Sequence, residues 1–332
     1  MNYIGSKYSL MNFLIKSISS VINKKSNMIF ADLFAGTGVV GAEYRSMGFN
    51  VISNDIQYYS YVLNKHYITN NATISSQLID YLNNLKGVEG FVYNNYCAGS
   101  GSGRNYFSDE NGKKCDAIRL ELNYLFSRNE IDESSYYTLL ASLLNSVDKV
   151  ANTASVYGAF LKHIKLSAQK PLLLELLPQI NGLIGRVYNM NINELISHID
   201  GDILYLDPPY NTRQYSANYH VLETIARYDY PELFGKSGLR DYSTQKSAYC
   251  SKRTVEEVFD DLVKRAKFKY IFVSYNNEGL MSLDVIKNIM KKYGKYTCFT
   301  QEYKRFKADK DINRNISSSK TIEYLHLLEK VS

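Results

Sequence analysis

The chain has 332 residues, more than the ~100–200 of a single small domain, so it has room for one large core carrying an inserted module. Hydrophobic residues make up 45% and charged residues 22%, an ordinary globular balance that excludes wholesale disorder. Lys and Arg number 39 against 33 Asp and Glu, and the formal net charge of +6 permits nucleic acid as a partner without requiring it.

Other classes fall away quickly. The 30 Tyr suit stacking surfaces, although a biased base composition in the gene gives the same excess. Residues 1–20 hold no long apolar run, so no signal peptide is expected. No run of about 18 apolar residues predicts a membrane span. Cys97, Cys115, Cys250 and Cys298 lie far apart, which fits a reduced, cytoplasmic chain and gives no zinc site. The five His are equally scattered, and no metal is expected.

In chain order, Leu10, Phe13, Leu14, Ile18 and Val21 predict an amphipathic helix. Residues 29–34 read as a buried strand ended by Gly36 and Gly38, residues 39–47 as a helix, and residues 50–53 as a second strand with Asp55 just past its end. Residues 71–170 change character, rich in Asn, Ser, Tyr and Gly, with helices near 116–126 and 134–150. Strands are expected at 172–177, 186–190, 203–206 and 269–275, and a helix at 282–293. Thr254-Val-Glu-Glu257 reads as a capping box opening a helix to about residue 266. Residues 235–253 read as a mobile loop, and 297–306 with 321–328 as an antiparallel pair. The expected fold is α/β: a Rossmann-like doubly wound sheet with an antiparallel C-terminal hairpin. Its domain would comprise 1–70 and 171–332, with 71–170 inserted.

Asp32-Leu-Phe34-Ala-Gly36-Thr-Gly38-Val-Val-Gly41 places glycines where a ligand must approach backbone closely, and Asp55 follows Gly36 by 19 residues. That spacing suits an adenosine ribose, in NAD or in S-adenosylmethionine. Acidic Asp32 and apolar Phe34 favour S-adenosylmethionine, because a pyrophosphate would meet a carboxylate while an amino group would be welcomed.

Asp207-Pro-Pro-Tyr210 ends a strand pattern, and the two prolines stop the ladder and stiffen the turn. A carboxylate and the Pro208 carbonyl held there can accept both N–H bonds of a ring amine. Such acceptance pulls the nitrogen toward tetrahedral geometry and frees its lone pair for attack on a methyl carbon. Pro209 continues the rigid turn, and Tyr210 offers a flat face to an extruded base.

These residues resemble the D12 class of DNA adenine-N6 methyltransferases, over most of the chain. Tyr3-Ile-Gly5-Ser-Lys7 is similar to the family's N-terminal motif, and Arg213 to Ala226 looks like the signature of a subgroup rich in type II modification methylases. Residues 271–279 resemble the strand behind the base pocket. The resemblance implies S-adenosylmethionine as methyl donor, with Tyr3 and Lys7 bordering it, Asp55 on its ribose and Asp207 near its methyl. It also implies double-stranded DNA as substrate, a target adenine flipped onto Asp207 and Tyr210, an insertion that reads the target, and a separate restriction endonuclease. Asn191 aligns with the family's acid facing the donor adenine, and its amide oxygen still accepts a hydrogen bond.

A flipped-base site needs a rim that grips phosphates. Arg104, Lys113 and Lys114, then Arg213, then Lys246, Lys252 and Arg253, and finally Lys304, Arg305, Lys307 and Lys310 are the basic candidates. Tyr93, Arg104, Tyr106 and Arg119 are expected at base edges, with core roles open for the two Tyr. Methylation of RNA adenine, cytosine N4 or a protein glutamine stays open on the same chemistry. An NAD-dependent oxidoreductase lacks an accompanying His or Lys–Tyr pair.

Overall fold

The computed structural model describes residues 7–23, 25, 27–304 and 320–330. In chain order the elements are α1 (Met11–Ser19), β1 (Ile29–Asp32), α2 (Val39–Ser46), β2 (Asn50–Asn54), α3 (Tyr58–Asn64), α4 (Ser76–Asn84), α5 (Phe91–Tyr96), α6 (Asp109–Ser127), α7 (Glu133–Lys149), β3 (Arg186–Tyr188), α8 (Ile192–Leu195) and β4 (Asp200–Leu206). They continue with α9 (Tyr215–Asn218), α10 (His220–Arg227), β5 (Leu233–Phe234), β6 (Leu239–Arg240), α11 (Val255–Arg265), β7 (Lys267–Asn276), α12 (Leu283–Lys291), β8 (Gly294–Lys304) and β9 (Lys320–Lys330). Two compact units emerge. The described residues of one, the sheet unit, fall within Ser6–Ile56, Asn181–Gln214 and Lys246–Ser332; those of the other, the helical unit, are Gln57–Ile180 and Tyr215–Gln245. The helical unit therefore begins earlier than residue 71, ends later than residue 170, and draws in a second segment.

In the sheet unit seven strands run in the order β3-β2-β1-β4-β7-β9-β8. The first five are mutually parallel, and β9 runs antiparallel to both β7 and β8. Parallel strands covered on both faces need apolar side chains throughout. Ala31, Ile52, Leu204, Ile271 and Val273 meet this need, packed with Phe259 of α11 and Ile286 of α12. Strand order reverses between β1 and β4, and open α/β sheets bind ligands beyond the carboxyl ends at such a point.

The helical unit has its own core, with Leu122 of α6, Leu140 and Leu144 of α7 and Leu222 of α10 at its centre. Much of the tyrosine excess is spent inside: Tyr59, Tyr96, Tyr106, Tyr157 and Tyr219 are fully buried, so these rings are not stacking platforms. The expected strand at 172–177 is extended but joins no sheet. Its N–H groups donate to side chains instead: Leu172 to Asn111 Oδ1 (2.8 Å), Leu174 to Asn83 Oδ1 (2.8 Å), Glu175 to Ser146 Oγ (3.1 Å) and Leu177 to Ser142 Oγ (3.0 Å). Residues 235–253 likewise carry structure of their own. β5 and β6 form a hairpin, and Tyr249 and Cys250 are buried in the sheet unit. The capping box at Thr254 is not made: its hydroxyl donates to the Ala248 carbonyl (2.8 Å), and no side chain caps α11. Among the described residues no helix is long and apolar enough to cross a membrane.

Candidate active site

The site lies within the sheet unit. β4 stops at Leu206, because Pro208 and Pro209 cannot donate to a ladder, and Asp207 stands just beyond the strand. Asp207 Oδ1 accepts from the Tyr210 hydroxyl (2.5 Å) and pairs with Lys7 Nζ (3.1 Å). Lys7 opens a 3-10 turn, Lys7–Leu10, and its ammonium also donates to Tyr210 and to Glu323 Oε1 (2.8 Å). Glu323 comes from β9, and its Oε1 further accepts from Ser274 Oγ of β7 (2.5 Å). Among the described residues no donor reaches Asp207 Oδ2 or the Pro208 carbonyl, so both acceptors of the proposed amine grip are left open while Oδ1 is held. Tyr210 is fixed by its backbone carbonyl, which accepts from Leu280 N–H (3.0 Å), and by its ring, edge-on to Tyr275 at 5.0 Å.

The electrostatics are lopsided. Burial and the charge of Glu323 push the Asp207 carboxyl up to about 6, although Lys7 and Tyr210 oppose the shift. Burial disfavours the Lys7 ammonium, but Asp207 and Glu323 outweigh it and hold the ammonium charged. Burial, Asp207 and Glu323 keep Tyr210 protonated, a donor. Asp32, at the end of β1, is 1% exposed, and neither oxygen has a hydrogen-bond partner among the described residues. Burial first, then Asp207, raise its pKa well above the usual carboxylate range, against the Gly41 N–H, which lowers it. Asp207 and Glu323 thus share one ammonium and Asp32 feels the charge of Asp207, while among the described residues Asp32 Oδ1 and Oδ2 and Glu323 Oε2 have no hydrogen-bond partner. A ligand that brings positive charge suits this centre.

The glycine turn follows β1. Gly36 and Gly38 take left-handed backbone, at φ 51° and 78°, which a side chain would strain. Gly38 N–H closes the turn on the Ala35 carbonyl (2.8 Å), and Gly36 N–H donates to Asp55 Oδ2 (2.9 Å). Asp55 therefore also braces the turn. Phe34 sits edge-on to Tyr249 at 4.9 Å.

The model of the D12 class N6 adenine-specific DNA methyltransferase family matches residues 3–289. The chain belongs to that family. This D12 methyltransferase is similar to the type II methyltransferase M.NlaIII of Neisseria lactamica, at 54% identity across 99% of each chain. It is also similar to M.FokI of Planomicrobium okeanokoites, at 38% identity over 99% of this chain and 53% of that one. M.CviAII of Paramecium bursaria Chlorella virus 1 is 35% identical over 93% of each. The methyl donor of D12 methyltransferases is S-adenosylmethionine, whose sulfonium and amino group bring the positive charge that the three carboxyl groups lack.

The expected residues divide. Lys7, Asp32, Phe34, Gly36, Gly38, Asp55, Asp207, Pro208 and Tyr210 all lie in the sheet unit. Asn191 is exposed, and its Oδ1 accepts from Asn193 N–H (2.9 Å) at the start of α8, which spends one lone pair of that amide oxygen on a helix cap. Tyr3, Arg305, Lys307 and Lys310 lie outside the described residues, as does the side chain of Lys304. Arg213 is exposed. Arg104 offers no free guanidinium: it donates to the carbonyls of Asn95 (3.2 Å), Gly235 (3.1 Å) and Lys236 (3.3 Å), holding the β5–β6 hairpin. Lys113 pairs with Glu89 at 2.7 Å and covers the Tyr93 ring, and Lys114 donates to the carbonyls of Asn83 and Leu85. Arg119 and Tyr106 are core residues, so the edge-reading option is closed for both. The subgroup signature is largely structural. Its Glu223 accepts from Tyr58 N–H (3.2 Å) and Tyr59 N–H (2.9 Å), capping α3.

Glu323 and Ser274 were not anticipated. The signal available was a lone acid in an apolar strand, since a carboxylate there is too costly to keep without a partner.

Proposed function

We propose that the chain modifies a specific DNA sequence within a restriction-modification system, by direct methyl transfer to the N6 of a flipped adenine. The observation that carries this reading is Asp207 just beyond β4, its Oδ1 pinned by Lys7 and Tyr210, with no hydrogen bond to Oδ2 or to the Pro208 carbonyl among the described residues. S-adenosylmethionine, when bound, supplies an electrophilic methyl on a sulfonium. Asp32 holds its amino end, Gly36 and Gly38 admit it against the backbone, and Asp55 takes its ribose hydroxyls. Asp207 Oδ2 and the Pro208 carbonyl accept the two N–H bonds of the adenine amine, and Tyr210 stacks on the ring. Asp207 Oδ2 is also placed to take the proton that N6 must shed. Transfer then rests on positioning and charge.

The helical unit is proposed as the target-reading region, and exposed Arg213, Lys246, Lys252 and Arg253 as phosphate contacts. A separate endonuclease would cut the unmodified site. Tritium-labelled donor offered to DNA, RNA and protein tests the reading: label in DNA as N6-methyladenine supports it, and label confined to RNA or protein overturns it. DNA affinity should fall about 10³-fold between 50 and 200 mM salt. A flat titration would argue against phosphate-led binding.

A pH prediction follows from Asp207. Only the ionised carboxylate accepts at Oδ2 without a proton in the way. Its folded-state pKa is about 6, so acceptor strength is present above that value and lost as pH falls through it. The free-enzyme profile, kcat/KM, should drop about tenfold per pH unit below about 6. A profile level down to pH 5 would contradict the assignment.

A further inference from the structure

β9 enters the site from beyond the region that the family model covers, which ends at residue 289. Its Glu323 is fully buried and pairs in register with Asn276 of β7 and Gln301 of β8. A carboxylate taken wholly out of water is a poor means of stabilising a strand, and Lys7 already has Asp207 as a counter-ion. Yet Glu323 Oε1 accepts from Lys7 Nζ (2.8 Å) and Ser274 Oγ (2.5 Å), and lies 3.2 Å from the Tyr210 oxygen, whose proton goes to Asp207. A lysine is a point charge on a flexible stem. Left to itself it would settle across both oxygens of Asp207 and compete with a substrate amine. Tethered by Glu323, it meets Asp207 at Oδ1 (3.1 Å).

We infer that Glu323 is a positioning residue for methyl transfer, anchoring Lys7 so that its ammonium engages Oδ1 of Asp207 and leaves Oδ2 to the adenine amine. The inference rests on the role proposed above for Asp207. Ser274 fixes Glu323 from the neighbouring strand. A second consequence concerns charge: Glu323 repels the ionised form of Asp207, so neutralising Glu323 makes Asp207 easier to ionise.

A double-mutant cycle on the full chain tests this, using Glu323→Gln, Lys7→Met and both together, with single-turnover transfer and donor binding by calorimetry followed against pH. Glu323→Gln should slow transfer about tenfold, the scale of one charge-assisted hydrogen bond, with DNA affinity unchanged. The acid limbs of both transfer and donor affinity should move to lower pH. The double variant should be no slower than Lys7→Met alone, because Glu323 acts through Lys7. Multiplying losses, or a Glu323→Gln variant matching the parent in rate and acid limb, would overturn the inference. If Glu323→Gln does not fold, Ser274→Ala takes its place in the cycle. It should slow transfer about threefold with no added loss over Lys7→Met, and an added loss would be fatal. Transfer at the parent rate by Asp207→Asn would instead remove the reading on which this inference stands, and the inference with it.

Discussion

Asp207→Ala is expected to slow methyl transfer at least about 10³-fold, while the protein still folds. The substitution deletes both the acceptor for the amine and the group that Lys7 and Tyr210 hold in place. Stability should suffer little: Lys7 keeps Glu323 as its counter-ion, and a carboxylate penalised by burial has gone. Label transfer to DNA, read beside thermal melting by circular dichroism, separates the two effects. A variant working within tenfold of the parent would mean that the amine is activated elsewhere.

Arg119→Ala should have the opposite character, costing about 3 kcal/mol of stability and leaving DNA recognition untouched. Arg119 is 2% exposed. Its guanidinium donates to the carbonyls of Ile225 (2.9 Å) and Ala226 (2.9 Å), which α10 cannot satisfy at its own end, and to Asn123 Oδ1 (2.5 Å). Truncation strands those acceptors and opens a void among Tyr136 and Tyr228, whose rings flank the charge. Denaturant unfolding of the helical unit should report the loss. The salt dependence of DNA binding should keep its slope; a slope reduced by about one would return Arg119 to the DNA.

Much of the sheet was readable because parallel strands buried on both faces leave uninterrupted apolar runs, as at residues 29–31 and 203–206, and because two prolines after Asp207 end a strand unmistakably. The glycine turn was readable for a similar reason, since a left-handed backbone at Gly36 and Gly38 demands that residue type. What escaped depends on partners distant in the chain. Residues 172–177 form an apolar run like a buried strand, yet their N–H groups go to Asn83, Asn111, Ser142 and Ser146, and an apolar run is blind to what lies across the bond. Arg104 looks like a phosphate-gripping residue, and Arg119 like a base-edge reader, until the carbonyls that occupy them are known. Glu323 meets Lys7 from the opposite end of the molecule's sequence, a pairing no local pattern announces.

The place of β9 between β7 and β8 has a temporal consequence. Among the described residues β8 pairs with β9 alone, so it has no ladder until the later strand is in place beside β7. The carboxylate that tethers Lys7 arrives with that closing strand. The parallel strands and the glycine turn thus precede in the sequence the strand whose carboxylate meets Lys7.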